Sequence, residues 1–243
     1  MLQKETLLSL VKRPDLIAYW QSLSKREVED MLGPQAAAMV GFDQHNPHHC
    51  YDLMNHSLHT VWEIQRQLAD RLIDWQDNLL TAGLFHDVGK PVVARQKEDR
   101  LVFYGHAAKS AQICRALLPQ LGFDHVQTQR ICFFITHHDD FIPFLLPEEA
   151  VERFASYKKA DHAQVLKHFR TCAQKESLAQ LGVKQKALWQ ALLVLCYADV
   201  RAQAEVVVYH GVVTDSRAHK EKKLDCIAQI LADLSEEELE QDS

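Results

Sequence analysis

Apolar residues recur at three- and four-residue spacing along most of the chain. In "LHTVWEIQRQLADRL" and "ALLVLCYADVRAQAEVV" they gather on one side of a 3.6-residue helix, with polar positions on the other. The pattern predicts helices near 3–12, 14–32, 51–70, 74–87, 105–119, 124–138, 147–157, 160–180, 183–208 and 215–234. One stretch departs from it. In "PVVARQKEDRLVFYGH", residues 91–106, two short β-branched or aromatic runs flank a charged turn, which predicts a small β-hairpin. Gly89 and Pro91 punctuate the boundary between the preceding helix and this hairpin. The expected fold class is all-α, a helical bundle with one hairpin.

Composition narrows the reading. Of 243 residues, 47% are hydrophobic and 25% charged, enough for a sizeable core. A formal net charge of -6 offers no basic field for nucleic acid or an anionic membrane, so DNA is not expected as a partner. The opening "MLQKETLLSLVKRPD" lacks the apolar core of a secretory signal, and no run of about 18 apolar residues occurs elsewhere. A soluble cytoplasmic protein without membrane contact is expected. The 6 cysteines are scattered with no C-x-x-C and mostly sit in apolar helical stretches, as buried free thiols would.

The 14 histidines are unevenly spread. "NPHHCYDLMNHSLHTV" holds His48, His49, His56 and His59, with His45 just before it. "AGLFHDVGKP" holds His86 and Asp87, "FYGHAAKS" His106, and "FFITHHDD" His137 and His138. Asp199 stands in the apolar "LCYADVRAQ", where an unpaired ionised carboxylate is costly. A metal ion, an arginine or a hydrogen-bond network would each resolve that cost. His56 and His106 are equally open to a purely hydrogen-bonded role, and Lys90 to a solvated one. Taken together, imidazoles and carboxylates make a mixed ligand set suited to Mn, Fe, Ni, Co or Zn. Two oxygens on Asp87 can serve two ions, and Lys90 just beyond can meet a phosphate oxygen.

The ordered set His56, His86-Asp87, His106, His137-His138 and Asp199 resembles the HD superfamily of metal-dependent phosphohydrolases, over roughly residues 40–205. "DQHNPHHCYDLMNHSLHTV", "LFHDVGKP" and "FYGHAAKSA" resemble the HD domain of bacterial tRNA nucleotidyltransferases and their stand-alone relatives. No G-S carboxylate strand pair is read ahead of the motif, so nucleotide addition is not expected. The run "DDFIPFLLPEE" after His138 lacks the G-Y-P element of the cyclic-di-GMP hydrolases.

The resemblance implies an HD-domain-like bundle over 41–210, an N-terminal helical extension over 1–40, and a C-terminal helix with an acidic tail over 211–243. It implies two divalent ions, among Mn, Fe, Ni, Co, Mg or Zn. His56, His86, Asp87 and Asp199 would hold the first, and Asp87, His106, His137 and His138 the second. Asp87 and Lys90 would carry the chemistry, Lys90 on the substrate phosphate and a metal-bound hydroxide as the attacking group. Asp139 and His49 are candidates for protonating the leaving group, and His59 for a supporting role. The implied activity is hydrolysis of a phosphate monoester or diester in a nucleotide, cyclic nucleotide or RNA end. The alternatives are a mixed-valence di-iron oxygenase on the same fold, and a non-catalytic nucleotide-binding module.

Overall fold

The computed structural model of the chain describes residues 2–69, 75–149, 157–176, 183–209 and 212–240. Four short helices open it: α1 (Lys4–Val11), α2 (Leu16–Gln21), α3 (Lys25–Leu32) and α4 (Pro34–Ala37). The helix predicted over 14–32 is thus two helices. Ser24 starts the second with a capping box, its hydroxyl accepting from the Glu27 N–H while the Glu27 carboxylate accepts from the Ser24 N–H.

A loop then leads to α5 (Leu53–Leu68), whose start is fixed by the Asp52 carboxylate accepting from the Asn55 N–H at 2.9 Å. Next come α6 (Gln76–Phe85), the single-turn α7 (Lys90–Val93), the strands β1 (Arg95–Lys97) and β2 (Arg100–Val102), and α8 (His106–Leu117). The two strands pair antiparallel, forming the expected hairpin. After a 3-10 turn (Leu118–Leu121) and a capping box of Asp124 and Gln127, α9 runs over His125–His137.

The second half holds β3 (Phe144–Leu145) and β4 (Lys158–Lys159), which pair in parallel, then α10 (His162–Lys175) and α11 (Gln185–Arg201). The hairpin β5 (Val206–Tyr209) and β6 (Val212–Asp215) follows, then α12 (Ser216–Asp233) and α13 (Glu236–Glu240). The helix predicted over 183–208 therefore stops at Arg201. The run Val206, Val207, Val208 is β-branched, and it pairs with Val212 and Val213 as a strand. Most of the helix predicted over 147–157 lies outside the described residues, and Pro147–Glu149 are not helical.

The bundle is built around α5, α6, α9 and α11. α5 packs on α6 and α11, α6 also on α9, and α8 on α9. Trp189, Phe85, Phe134 and Phe169 are among the largest fully buried side chains, and the same cluster takes in Leu7, Val11, Trp20 and Leu32 from the opening helices. At Gly83 a Cβ would stand 2.7 Å from Ile64 Cδ1, so a residue without one lets α5 and α6 approach closely. Among the described residues, no helix is long and apolar enough to cross a membrane.

Candidate metal centre

Ends of helices deliver the centre. His86 is the residue after α6, with Asp87 following. His106 is the first residue of α8, His138 the residue after α9, and Asp199 stands two residues before the end of α11. His56 comes from the first turns of α5. The C-terminal ends of α6 and α9 point partial negative charge at the cluster, which favours a cation there.

Backbone carbonyls fix the imidazoles. The Nδ1–H of His56 donates to the Ala202 carbonyl at 3.2 Å and that of His86 to Gly83 at 2.9 Å. His106 donates to Phe103 at 2.9 Å and His138 to Ile135 at 2.8 Å. A carbonyl can only accept, so the proton sits on Nδ1, and Nε2 of the neutral ring carries a lone pair. These lone pairs face each other: Nε2 of His56 and His86 are 3.3 Å apart, and Nε2 of His106 and His138 are 3.2 Å apart. Two acceptors in that arrangement repel unless a cation or a proton lies between them. Ring orientation by a backbone acceptor is also how metal-ligating histidines are held.

Asp87 joins the two imidazole pairs. Its Oδ2 lies 3.2 Å from His86 Nε2 and 3.5 Å from His56 Nε2. Its Oδ1 lies 3.2 Å from His106 Nε2 and 3.7 Å from His138 Nε2. Asp199 Oδ1 closes the first group, 3.0 Å from His56 Nε2 and 3.6 Å from His86 Nε2. Asp87 is 1% exposed, yet its Oδ1 has no hydrogen-bond partner among the described residues. Burial opposes ionisation, but the His86 and Lys90 charges hold the Asp87 carboxyl well below the usual range. Burial opposes Asp199 likewise, and bonds to His56 and His86 hold it low. Burial alone would lower His86, whereas the two carboxylates carry it up to about 10. Without an ion, a proton takes the place of the missing positive charge. An orphaned carboxylate oxygen, facing lone pairs and paired acids all fit divalent cations.

Lys90 stands beside this cluster, 5% exposed. Its Nζ is 2.6 Å from Asp87 Oδ2 and donates to Gln44 Oε1 at 2.8 Å, with His49 Nε2 at 3.4 Å. Burial and the Lys90 ammonium keep His49 well below the ordinary imidazole range, so it stays neutral and serves Lys90 as an acceptor. Gly89 acts otherwise than as a turn residue. Its φ is -82°, and a Cβ there would come 2.6 Å from Ser110 N and 2.9 Å from the His106 carbonyl oxygen. The missing side chain is what allows α8, with His106, to lie against α7.

One expected ligand is not brought to the centre. Adjacent residues on a helix point about 100° apart, so His138 faces Asp87 while His137 turns away to Asp140, 2.6 Å from its Nδ1. Asp139 approaches in its stead, with Oδ2 3.8 Å from His106 Nε2, and it groups with His106 and His138. Three further polar residues escaped the sequence reading. Gln44, 1% exposed, holds Lys90; Gln203, one turn after Asp199, donates to Asp199 Oδ1 at 3.1 Å; and Lys220 of α12 donates to Gln203 Oε1. Burial draws Lys220 down to about 8, with Asp199 acting against it. Only the i, i+4 spacing of Asp199 and Gln203 was a local signal. Gln44 and Lys220 meet the centre through the fold.

Fold and site together define a helical metal-binding module with the ligand chemistry of a hydrolase. Residues 53–167 match the family model of the HD domain, and His56, His86, Asp87, His106 and His138 of the metal-binding cluster fall within that stretch. Over 196 residues it is 31% identical to the CC-adding tRNA nucleotidyltransferase of Thermus thermophilus, an alignment covering 78% of this chain and 41% of that protein. The chain thus spans about two fifths of the length of that relative. Asp199 lies beyond the matched family stretch and reaches the centre through α11.

Proposed function

We propose that this protein is a metal-dependent phosphohydrolase acting on a nucleotide, a cyclic nucleotide or an RNA end. The observation that carries the reading is Asp87, whose two buried oxygens face two separate imidazole pairs. His56, His86, Asp87 and Asp199 would hold one ion, and Asp87, His106, His138 and Asp139 a second. Bound divalent ions lower the pKa of water toward neutrality and offset the charge of a phosphate. Two dications against three carboxylates leave a formal positive charge, which favours an anionic ligand.

The side chains then divide the work. Four backbone-fixed imidazoles keep their lone pairs aimed inward, so little reorganisation is needed when a ligand arrives. Lys90, pinned by Gln44, supplies an ammonium for a nonbridging phosphate oxygen. Its short contact with Asp87 keeps that charge beside the reacting phosphorus. Access is from the His106 and Asp139 side, whose side chains are 14% and 30% exposed, whereas His56 and His86 are closed off. The likeness to a CC-adding tRNA nucleotidyltransferase supports a nucleotide-derived substrate.

The test is a screen of protein loaded with Mn, Co, Ni, Mg or Zn against bis-p-nitrophenyl phosphate, p-nitrophenyl phosphate, nucleotides and 2′,3′-cyclic nucleotides. Metal-dependent release of phosphate or of a phosphomonoester is expected. Inertness toward all of them, with a mixed-valence EPR signal after anaerobic iron loading, would overturn the reading in favour of an oxygenase.

A further inference from the structure

His137, turned away from the centre, belongs to a second cluster. At the end of α9, His137 and Asp140 are three residues apart; on α10, His168 and Cys172 are four apart. The turn after α9 brings Asp140 back to His137, and the four-residue spacing puts His168 and Cys172 on one face of α10. The two pairs meet. Asp140 Oδ2 lies 2.6 Å from His137 Nδ1, 3.1 Å from His168 Nε2 and 3.7 Å from Cys172 Sγ, and the sulfur lies 3.8 Å from His168 Nε2. One nitrogen of His137, one oxygen of Asp140 and the sulfur all fall within 4.8 Å of one another. Around a tetrahedral ion with ordinary Zn–N, Zn–O and Zn–S bonds, neighbouring ligand atoms are about 3.3–3.6 Å apart. The observed separations bracket that range.

Aromatic rings line the cluster, while the Asp140 side chain is 22% exposed. Phe133 packs on His137, Phe141 and Phe144 on His168, and Trp189 on both rings. A hydrogen-bond network alone accounts for Asp140, which would accept from both imidazoles. It leaves the Cys172 sulfur with only long contacts, 3.7 Å to Asp140 Oδ2 and 3.8 Å to His168 Nε2. His137 Nε2, the ring nitrogen that does not face Asp140, is buried without a hydrogen-bond partner among the described residues and lies outside the cluster. The nearest counter-charge to that nitrogen is Glu176 Oε1 at 3.9 Å, one turn beyond Cys172.

We propose that His137, Asp140, His168 and Cys172 form a structural zinc site, separate from the centre at Asp87, that clamps the end of α9 to α10. A thiolate with two imidazoles and a carboxylate favours Zn over Mg or Mn, and four protein ligands leave no position open for substrate. Such an ion would release the thiol proton on binding. It would also fix the chain next to His138, so the clamp supports the centre mechanically.

Cobalt gives a direct readout, because the centre at Asp87 offers only nitrogen and oxygen whereas this cluster offers sulfur. The full chain loaded with Co²⁺ is expected to display a thiolate-to-cobalt charge-transfer band in the near ultraviolet. The band should persist in Asp87→Asn and vanish in Cys172→Ser, with bound cobalt falling by one ion per chain. If Cys172→Ser loses its helical circular dichroism, His137→Gln serves instead and should abolish or shift the band. No band in the cobalt-loaded wild type, or a band unaltered in the folded variant, would overturn the proposal.

Discussion

Because each Asp87 oxygen faces a different imidazole pair, one substitution there should empty both halves of the centre. Asp87→Asn is expected to lose both ions by elemental analysis and to lower kcat by about 1,000-fold or more. Lys90→Met should keep its metal content and lose roughly 100-fold in kcat/KM, since it removes a charge aimed at the substrate. Equal metal loss in the two variants would contradict this division. The ion-free protein carries a pH signature. His86 is raised to about 10 in the folded state, above the ordinary value of 6.5, so folding favours its protonated form. The stabilisation is fully present below 6.5 and is lost as pH rises toward 10. A melting series on chelated protein should therefore show Tm falling across that window, while the gain in Tm on adding metal grows with pH. His56, His86, Asp87, His106, His138 and Asp199, which the structure brings together, were picked out by the resemblance of their order along the chain to the HD superfamily, since each alone was open to a structural role. His137 was picked out with them, because a neighbouring pair of histidines does not reveal which one a helix turns inward.

At the scale of the elements, the centre depends on how closely helices approach. Gly89→Ala would drive a Cβ to within 2.6 Å of the Ser110 backbone, which cannot yield as a side-chain tip can. We expect a loss of about 1–3 kcal/mol, read as a lower Tm. Displacement of His106 should cost the ion held by His106 and His138 more than the one held by His56 and Asp199. Titration calorimetry would then show one site weakened and the other kept; equal weakening of both would argue against this route. Gly83→Ala should be milder, because the atom it meets is the mobile tip of Ile64. Most helices were legible from the three- and four-residue recurrence of apolar positions, although α6 and α11 are buried nearly all round. Two of the failures have local causes: the cap at Ser24 interrupts a continuous apolar pattern, and the Val206–Val208 run suits a strand despite helical spacing before it. The close approach at Gly89 is a relation between α7 and α8, which no pattern along either one carries.

Across the molecule, the centre is where separate parts of the chain are tied together. Its side chains come from positions between 56 and 199, on or beside α5, α6, α8, α9 and α11, and those helices also form the packed core. In the absence of cations, the protonated His86 and the Lys90 ammonium are what offset the buried carboxylates. Hydrophobic burial holds the fold, and bound ions supply that positive charge at any pH at which they bind. Metal binding should consequently act on global stability and not on one loop. At metal concentrations about 1,000 times Kd, one site adds roughly 4 kcal/mol. For a chain of this size each kcal/mol raises Tm by about 2–4 °C. Chelated protein is therefore expected to melt below metal-loaded protein by about 8–16 °C or more, since more than one site is filled, in a single transition seen alike by far-ultraviolet circular dichroism and by tryptophan fluorescence. Asp87→Asn should remove the share of that difference that comes from the centre, because its amide withdraws the charge that draws the ions in, and should keep the share of an ion at the Cys172 cluster. A shift of the same size in that variant as in the wild type would mean that ions at the centre do not stabilise the fold.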